Sequence, residues 1–248
     1  MKKFYLLIAG CLIFLTGAAW GQDAVHFYNL GVNSSLTNRK IHYFTKALEM
    51  NPGLTAAYEK RGMLYYFQGK YSQMIQDFGR VIEQKPHTPE AHMWVGLGYL
   101  KQENFDAAIS NLSRAIGMDP HMAGAYSYRA AAYRQKGMPE EAIRDATRAI
   151  ELGGTEPVVG RAYTHRAKAY RSMGLNDLAD KDFKKAVRLD PEYYVYTLFS
   201  STEFLADMAG KSSNPKRIGR MGAALIVALF FVVIFKLTLT PPKKDEDK

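Results

Sequence analysis

An all-α fold, a solenoid of stacked helix-turn-helix units followed by one C-terminal transmembrane helix, is what the sequence predicts. Three observations carry that expectation. Prolines recur at Pro52, Pro86 and Pro120, each 34 residues after the last. Each interval holds two stretches of helical periodicity divided by a polar turn, the pattern of a stacked helix pair. Near the end of the chain, Met221 to Phe235 carries no charge and is dominated by Leu, Ile, Val and Phe.

In chain order, the first element is a leader. Met1-Lys2-Lys3 precedes an apolar run from Phe4 to Ala19, and Ala19-Trp20-Gly21 ends it with small residues around one variable position. A basic start, an apolar middle and a small-residue exit define a secretory signal peptide, here residues 1–21. An uncleaved anchor is the competing reading, and lipidation at Cys11 a second. Cys11 is the one cysteine of the chain. A disulfide framework and a cysteine zinc site are therefore excluded.

The repeated units follow, at about 21–54, 55–88, 89–122, 123–156 and 160–193. The second reads Tyr58, Gly62, Tyr65, Met74, Phe78, Val81, Pro86. The third reads His92, Gly96, Tyr99, Ala108, Leu112, Ala115, Pro120. The fourth has Tyr126, Ala130, Tyr133, Ala142, Ala146 and Ala149, with Gly153-Gly154 in place of proline. The fifth, after three extra residues, has Tyr163, Ala167, Tyr170, Ala179, Phe183, Ala186 and Pro191. The first is degenerate, keeping Phe44, Ala47 and Pro52. This series resembles the tetratricopeptide-repeat (TPR) family over residues 22–210. The resemblance implies a right-handed superhelix. No unit buries its apolar face alone, so stacking is obligatory. The small residues Gly62, Gly96, Ala130 and Ala167 are expected where the two helices of a unit cross, since a larger side chain there would overpack.

Comparison between units predicts specific ion pairs. Arg61, Arg129 and Arg166 each precede the small crossing residue, and Asp77, Asp145 and Asp182 lie 16 positions later. The third unit has Val95 and Asn111 at these places and the first has Phe27 and Tyr43, so the two charges come and go together. Bidentate bridges Arg61–Asp77, Arg129–Asp145 and Arg166–Asp182 are expected, which makes these arginines structural.

After the repeats, residues 194–209 read as a capping helix with Leu198, Leu205 and Met208 on one face. Residues 210–220 are a basic linker. Residues 221–240 are the membrane span, about 30 Å of helix, enough for the hydrocarbon layer. A charged tail, 241–248, closes the chain. Lys and Arg near the two ends of the span balance, four on each side. Orientation therefore rests on the leader, which places the repeats outside the cytoplasm.

In the TPR family the first helices of the pairs line a concave groove that holds a partner segment. Carried over, the resemblance offers Glu59, Met63, Tyr66 and Phe67 from the second unit, and Glu90, Met93, Leu97 and Lys101 from the third. The fourth and fifth offer Ser127, Arg134, Gln135, Arg161, Thr164, Lys168 and Arg171. These grade from apolar to basic, so the expected partner is a protein or peptide with an apolar and an acidic portion. The residues with which one subfamily clamps chaperone tails are replaced here by Glu59, Met63, Trp94, Gly124 and Tyr128, so that partner is not expected.

The net charge of +9 is spread along the chain, without the dense basic block and interleaved aromatics of a nucleic-acid binder. The six histidines show no metal-ligand spacing, and no phosphate loop, nucleophile elbow or catalytic cysteine is present. No cofactor and no catalytic activity are expected. The expected function is a membrane-anchored scaffold in envelope protein assembly. A cytoplasmic C-terminally anchored adaptor and a non-catalytic subunit of an enzyme complex are the alternatives.

Overall fold

The structure, a computed structural model, describes residues 23–191 and 193. The leader, the capping helix, the linker, the membrane span and the tail lie outside the described residues. Among the described residues no helix is long and apolar enough to cross a membrane.

Among the described residues, ten helices follow one another in antiparallel pairs. They are α1 (23–33), α2 (Thr37–Met50), α3 (Thr55–Phe67), α4 (Tyr71–Gln84) and α5 (Pro89–Lys101), then α6 (Phe105–Met118), α7 (Ala123–Gln135), α8 (Pro139–Leu152), α9 (Glu156–Ser172) and α10 (Asn176–Leu189). The turns between partners repeat as faithfully as the helices. A positive φ falls at Gly69, Glu103, Gly137 and Gly174, the same place in each of the last four pairs. Glycine takes that conformation freely, whereas Glu103 holds it at a steric cost.

Each helix packs on the next, and first helices also touch the first helices of neighbouring pairs, α5 on α7 and α7 on α9. Second helices make no comparable contact with one another. The first helices are therefore the crowded, inner layer of the curve, and their free face is concave.

The crossing of each pair follows a size rule across 16 residues. A Cβ added at Gly62 would lie 2.9 Å from the Phe78 ring, and one at Gly96 2.6 Å from Leu112. Where the first helix carries Ala130, the opposite residue shrinks to Ala146, and both are fully buried. The fifth pair sets Ala167 against Phe183, and there the ring is half-exposed and covered by the Arg171 guanidinium, 4.6 Å from its centre. In the degenerate first pair the close approach falls at Gly31 against Phe44, 2.7 Å for an added Cβ.

All three expected Arg–Asp bridges are present and bidentate. Arg61 donates to Asp77 at 2.9 and 2.7 Å, Arg129 to Asp145 at 2.6 and 2.9 Å, and Arg166 to Asp182 at 2.6 and 3.0 Å. Each arginine also does something the sequence reading missed. Its remaining nitrogen reaches back to a hydroxyl on the preceding pair: Thr45 at 3.0 Å, Ser113 at 2.9 Å and Thr147 at 2.9 Å. Two tyrosines flank each guanidinium, such as Tyr126 and Tyr133 around Arg129 at 5.6 and 5.8 Å. The arginine thus ties three helices together, two of its own pair and one of the pair before.

The third unit lacks this staple, with Val95, Asn111 and, at the hydroxyl position, Gly79. Aromatic stacking takes its place. Trp94 of α5 lies flat on Phe78 of α4, ring centres 5.5 Å apart and planes within 7°, and Tyr66 meets Trp94 edge-on. Gly98 lets α5 settle on Met74 and Ile75, where an added Cβ would approach to 2.7 and 2.6 Å.

The three additional residues of the fifth unit, 157–159, do not form a loop. They lengthen α9, which begins at Glu156 and runs 17 residues. Pro157 suits the first turn, where its missing N–H costs nothing. Gly160 then lets this extra turn press on Asp190, whose backbone nitrogen would lie 2.9 Å from an added Cβ.

Candidate functional site: the concave groove

The inner face is built from a few positions repeated at 34 residues, then 37 where α9 carries its insertion. One row reads Met63, Leu97, Ala131, Lys168. Its neighbour reads Tyr66, Leu100, Arg134, Arg171. Along both rows, as positions in the sequence, apolar side chains give way to cations.

A cavity of about 270 Å³ opens on this face. Tyr66, Leu97, Lys101 and Arg161, all expected at the groove, line it, together with Leu100, Tyr128, Ala131, His165 and Tyr193. The wall therefore runs from α3 to the last residue of the fifth unit. His165 was legible in principle, because Trp94, Tyr128 and His165 occupy equivalent places in successive first helices. Tyr193 was not, since the units before it carry Thr88, Met122 and Glu156 at its place, with no aromatic to mark it.

Other expected groove residues are placed differently. Met63 packs against the core cluster around Met74 and Phe78, and Met93 against the cluster around Ala108 and Leu112. Both are part of the packing between helices more than of a free surface. Glu90 and Gln135 are exposed, Glu59 is half-buried, and Thr164 spends its hydroxyl on the Gly160 carbonyl at 3.1 Å. Ser127 is buried, with no partner for its hydroxyl among the described residues. Phe67 projects outward and is 74% exposed, beside Tyr66 at 5.5 Å. Arg171 turns toward α10, where it pairs with Asp180 at 3.0 Å and covers Phe183. Its charge is matched there, so it is a weaker groove cation than the sequence reading expected.

The basic end centres on His165. Its ring is buried, Nε2 lies 3.4 Å from the Tyr193 hydroxyl, and Nδ1 has no partner among the described residues. Burial pushes its pKa well below the usual value, and the charges of Arg134, Lys168, Arg161 and Lys101 push it further the same way. The ring is therefore neutral. Burial also lowers the ammonium of Lys168, with Arg134 and Arg171 adding to the effect, to about 8. Lys101, exposed at the rim, is lowered by desolvation and by Arg161. Arg161 is balanced by Asp190 at 3.3 Å, and its guanidinium sits over the Tyr193 ring at 5.5 Å. Burial raises the Tyr193 phenol to about 12, so it stays protonated.

No group of three or more His, Cys, Asp or Glu suited to a metal ion occurs among the described residues. The chemistry on offer is recognition: an aromatic and aliphatic wall at one end, and at the other a set of cations around a neutral imidazole.

A stack of antiparallel helix pairs with small residues at the crossings defines a helical-repeat protein of the kind that presents a concave surface to other proteins. The particular family follows from sequence comparison. Residues 55–88, 96–157 and 160–193 match tetratricopeptide-repeat models, over half of the chain in all, and the chain belongs to that family. Among solved structures, the crystal structure of MamA protein superposes with a TM-score of 0.59 at 25% identity, covering 71% of this chain and 96% of that one. A second MamA crystal structure gives 0.55 at 27% identity, covering 63% and 90%. YrrB, described as a TPR protein with an unusual peptide-binding site, gives 0.55 at 19% identity, covering 70% and 89%. No curated protein matches the sequence.

Proposed function

We propose that this chain is a membrane-anchored adaptor whose concave groove holds an extended segment of a partner protein in the assembly of envelope proteins. The apolar portion of that segment rests on Tyr66, Phe67 and Leu97. Its acidic portion lies toward Arg134, Arg161 and Lys168. One observation carries the reading: the cavity on the inner face has both an aromatic and aliphatic lining, from Tyr66, Leu97, Leu100, Tyr128 and Ala131, and a cationic one, from Lys101 and Arg161. A ligand that satisfied both walls has to be amphipathic along its length. The same fold carries a peptide-binding site in YrrB. Anchoring rests on the apolar run of residues 221–240, and export on the leader.

Photo-crosslinking in intact cells tests the groove. A crosslinker placed at Leu97 is expected to capture a partner that one placed at Arg80, exposed on the second helix α4, does not. Equal capture from both positions would sink the groove as the binding face. Protease treatment of spheroplasts tests the location. Digestion of the repeats before the inner membrane is opened is the expected result, and protection until it is broken would favour the cytoplasmic adaptor.

A further inference from the structure

The fifth unit differs from the others on its outer side. In α2, α4 and α8 an exposed cation is closed by a glutamate three residues on: Lys46 by Glu49 at 3.6 Å, Arg80 by Glu83 at 2.7 Å and Arg148 by Glu151 at 3.4 Å. At the same two places α10 has Lys185 and Arg188, so the acid has become a second cation. Lys184 stands where the preceding second helices have Thr45, Gly79, Ser113 and Thr147. Lys185 lies over the Tyr163 ring at 5.2 Å. Lys181, Lys184 and Arg188 are exposed, and none has a carboxylate partner among the described residues. Of the exposed acids on α10, Asp180 is taken by Arg171, which leaves Asp177. The turn into α10 changes as well. Met173, Leu175 and Leu178 are 40, 42 and 42% exposed. The second unit has Gln68, Lys70 and Gln73 at these places. Leu178, Lys181, Lys185 and Arg188 follow one another at helical spacing and form one ridge along α10. An exposed apolar turn that leads into a cationic helix face suits a segment lying at a lipid–water interface.

We propose that the outer face of α10 and the α9–α10 turn form a lipid-docking surface, which lays the C-terminal end of the solenoid on anionic phospholipid headgroups. This rests on the membrane-anchor reading above and adds a second contact with the same bilayer. Met173, Leu175 and Leu178 enter the interface, and Lys181, Lys184 and Arg188 face the headgroup phosphates. Each such charge near an anionic surface favours docking about fivefold. The course of the chain brings the bilayer to this end. The last turn of a first helix touches the first turn of the second helix before it: Gln68 meets Asn38, Gln102 meets Ser72 and Lys136 meets Asp106, always 30 residues apart. On that spacing position 207, in the capping helix expected from sequence, would stand beside Asp177 at the start of α10. Residues 208–220 then join it to the apolar run of 221–240, a tether of roughly 45 Å at full extension. A tether that short makes docking intramolecular, so a weak surface is enough. Docking fixes the orientation of the solenoid, which the tether alone leaves free to swing.

The test uses the full chain, with Cys11→Ser so that one introduced cysteine carries a fluorophore, in nanodiscs of phosphatidylcholine alone or mixed with phosphatidylglycerol. A fluorophore at Asn176→Cys, in the turn into α10, is compared with one at Gln73→Cys, at the start of α4; both positions are exposed. Nitroxide-labelled lipid is expected to quench the first and spare the second, and to do so in the discs that contain phosphatidylglycerol. Lys181→Gln/Arg188→Gln is expected to lower the ratio of docked to undocked chain about 25-fold, whereas Lys181→Arg/Arg188→Lys keeps it. Both side chains are exposed, so the unfolding midpoint is expected to stay the same in either variant. Quenching at position 176 that is equal in neutral discs, or that survives the exchange to glutamine, would come from the tether alone and overturn the proposal. An unquenched position 176 in chains that stay in the discs would overturn the docking and leave the anchor. Chains that fail to enter the discs would remove the anchor reading and the docking with it. A fluorophore at position 176 that is shielded in cell-derived membranes but not in lipid discs would overturn the lipid and assign this face to a protein.

Discussion

Arg129 grips Asp145 through two hydrogen bonds of 2.6 and 2.9 Å, and the same guanidinium reaches Ser113 on the preceding pair at 2.9 Å. One side chain therefore closes its own helix pair and fastens that pair to its neighbour. Burial works against its charge, but the hydrogen bonds and charge of Asp145 outweigh it and raise its pKa above the ordinary arginine value.

Breaking this link from one side is expected to be costly. Asp145→Ala leaves the guanidinium sheltered and unmatched, and a loss of about 3–5 kcal/mol is expected in urea unfolding. Arg129→Val with Asp145→Asn, the pair that the third unit uses as Val95 and Asn111, is expected to recover most of that loss. A double variant as unstable as the single one would refute this account. Ser113→Ala removes only the link between pairs, with an expected cost of about 1.5 kcal/mol.

Two glycines of adjacent pairs are expected to respond with opposite signs. At Gly96 a methyl would meet Leu112 at 2.6 Å and the Ala108 carbonyl at 3.2 Å, so Gly96→Ala should destabilise by about 1–3 kcal/mol. At Gly79, inside α4, nothing lies within 4 Å, so Gly79→Ala should stabilise by about 0.4–1 kcal/mol through the unfolded chain. Denaturant midpoints moving in the same direction would show that the crossing is not where the tightness lies.

Glu103 holds φ at +60° where the equivalent turns have Gly69, Gly137 and Gly174. Glu103→Gly relieves the contact between Cβ and the backbone. It is expected to raise stability by roughly 1 kcal/mol, net of the added freedom of glycine in the unfolded chain. Thermal unfolding of the single variant decides it.

Lys168 gives the groove a pH signature. Its folded pKa is about 8 against an ordinary value of 10.5. Below about pH 8 it is protonated in both states, and the folded chain bears the whole cost of sheltering the charge. Between about pH 8 and 10.5 the folded chain sheds a proton that the unfolded chain keeps, so the contribution to stability rises with pH. The stability of the wild type relative to Lys168→Met should therefore improve as pH increases from 7.5 to about 9.5. A pH-independent difference would mean that the ammonium is not sheltered.

Much of the packing was legible because repetition lets each unit serve as a control for the others. The arginine–aspartate pairs could be read because both residues vanish together in the third unit. The hydroxyl partners obeyed the same logic: Thr45 and Ser113 lie 16 residues before their arginines, and Gly79 stands at that place before Val95. In the fifth unit the insertion moves Thr147 to 19 residues before Arg166, which broke the pattern. Arg171 was misjudged for a different reason. A repeat position says which face a residue starts from, but a long flexible side chain on the last turn of α9 is free to turn toward Asp180.

By itself the sequence determined the helix pairs, their period, the small residues at the crossings and the three bidentate bridges. All of these follow from local periodicity and from contacts at fixed separations within one unit. Only the tertiary structure decided that Tyr66, Tyr128, His165 and Tyr193 share one cavity, and that Arg134 and Lys168 have no carboxylate partner among the described residues. Those facts depend on how far each pair rotates against the next. The rotation is set by the summed packing of Trp94 on Phe78, the arginine staples and the extra turn of α9 against Asp190, and no spacing within a single unit encodes that sum.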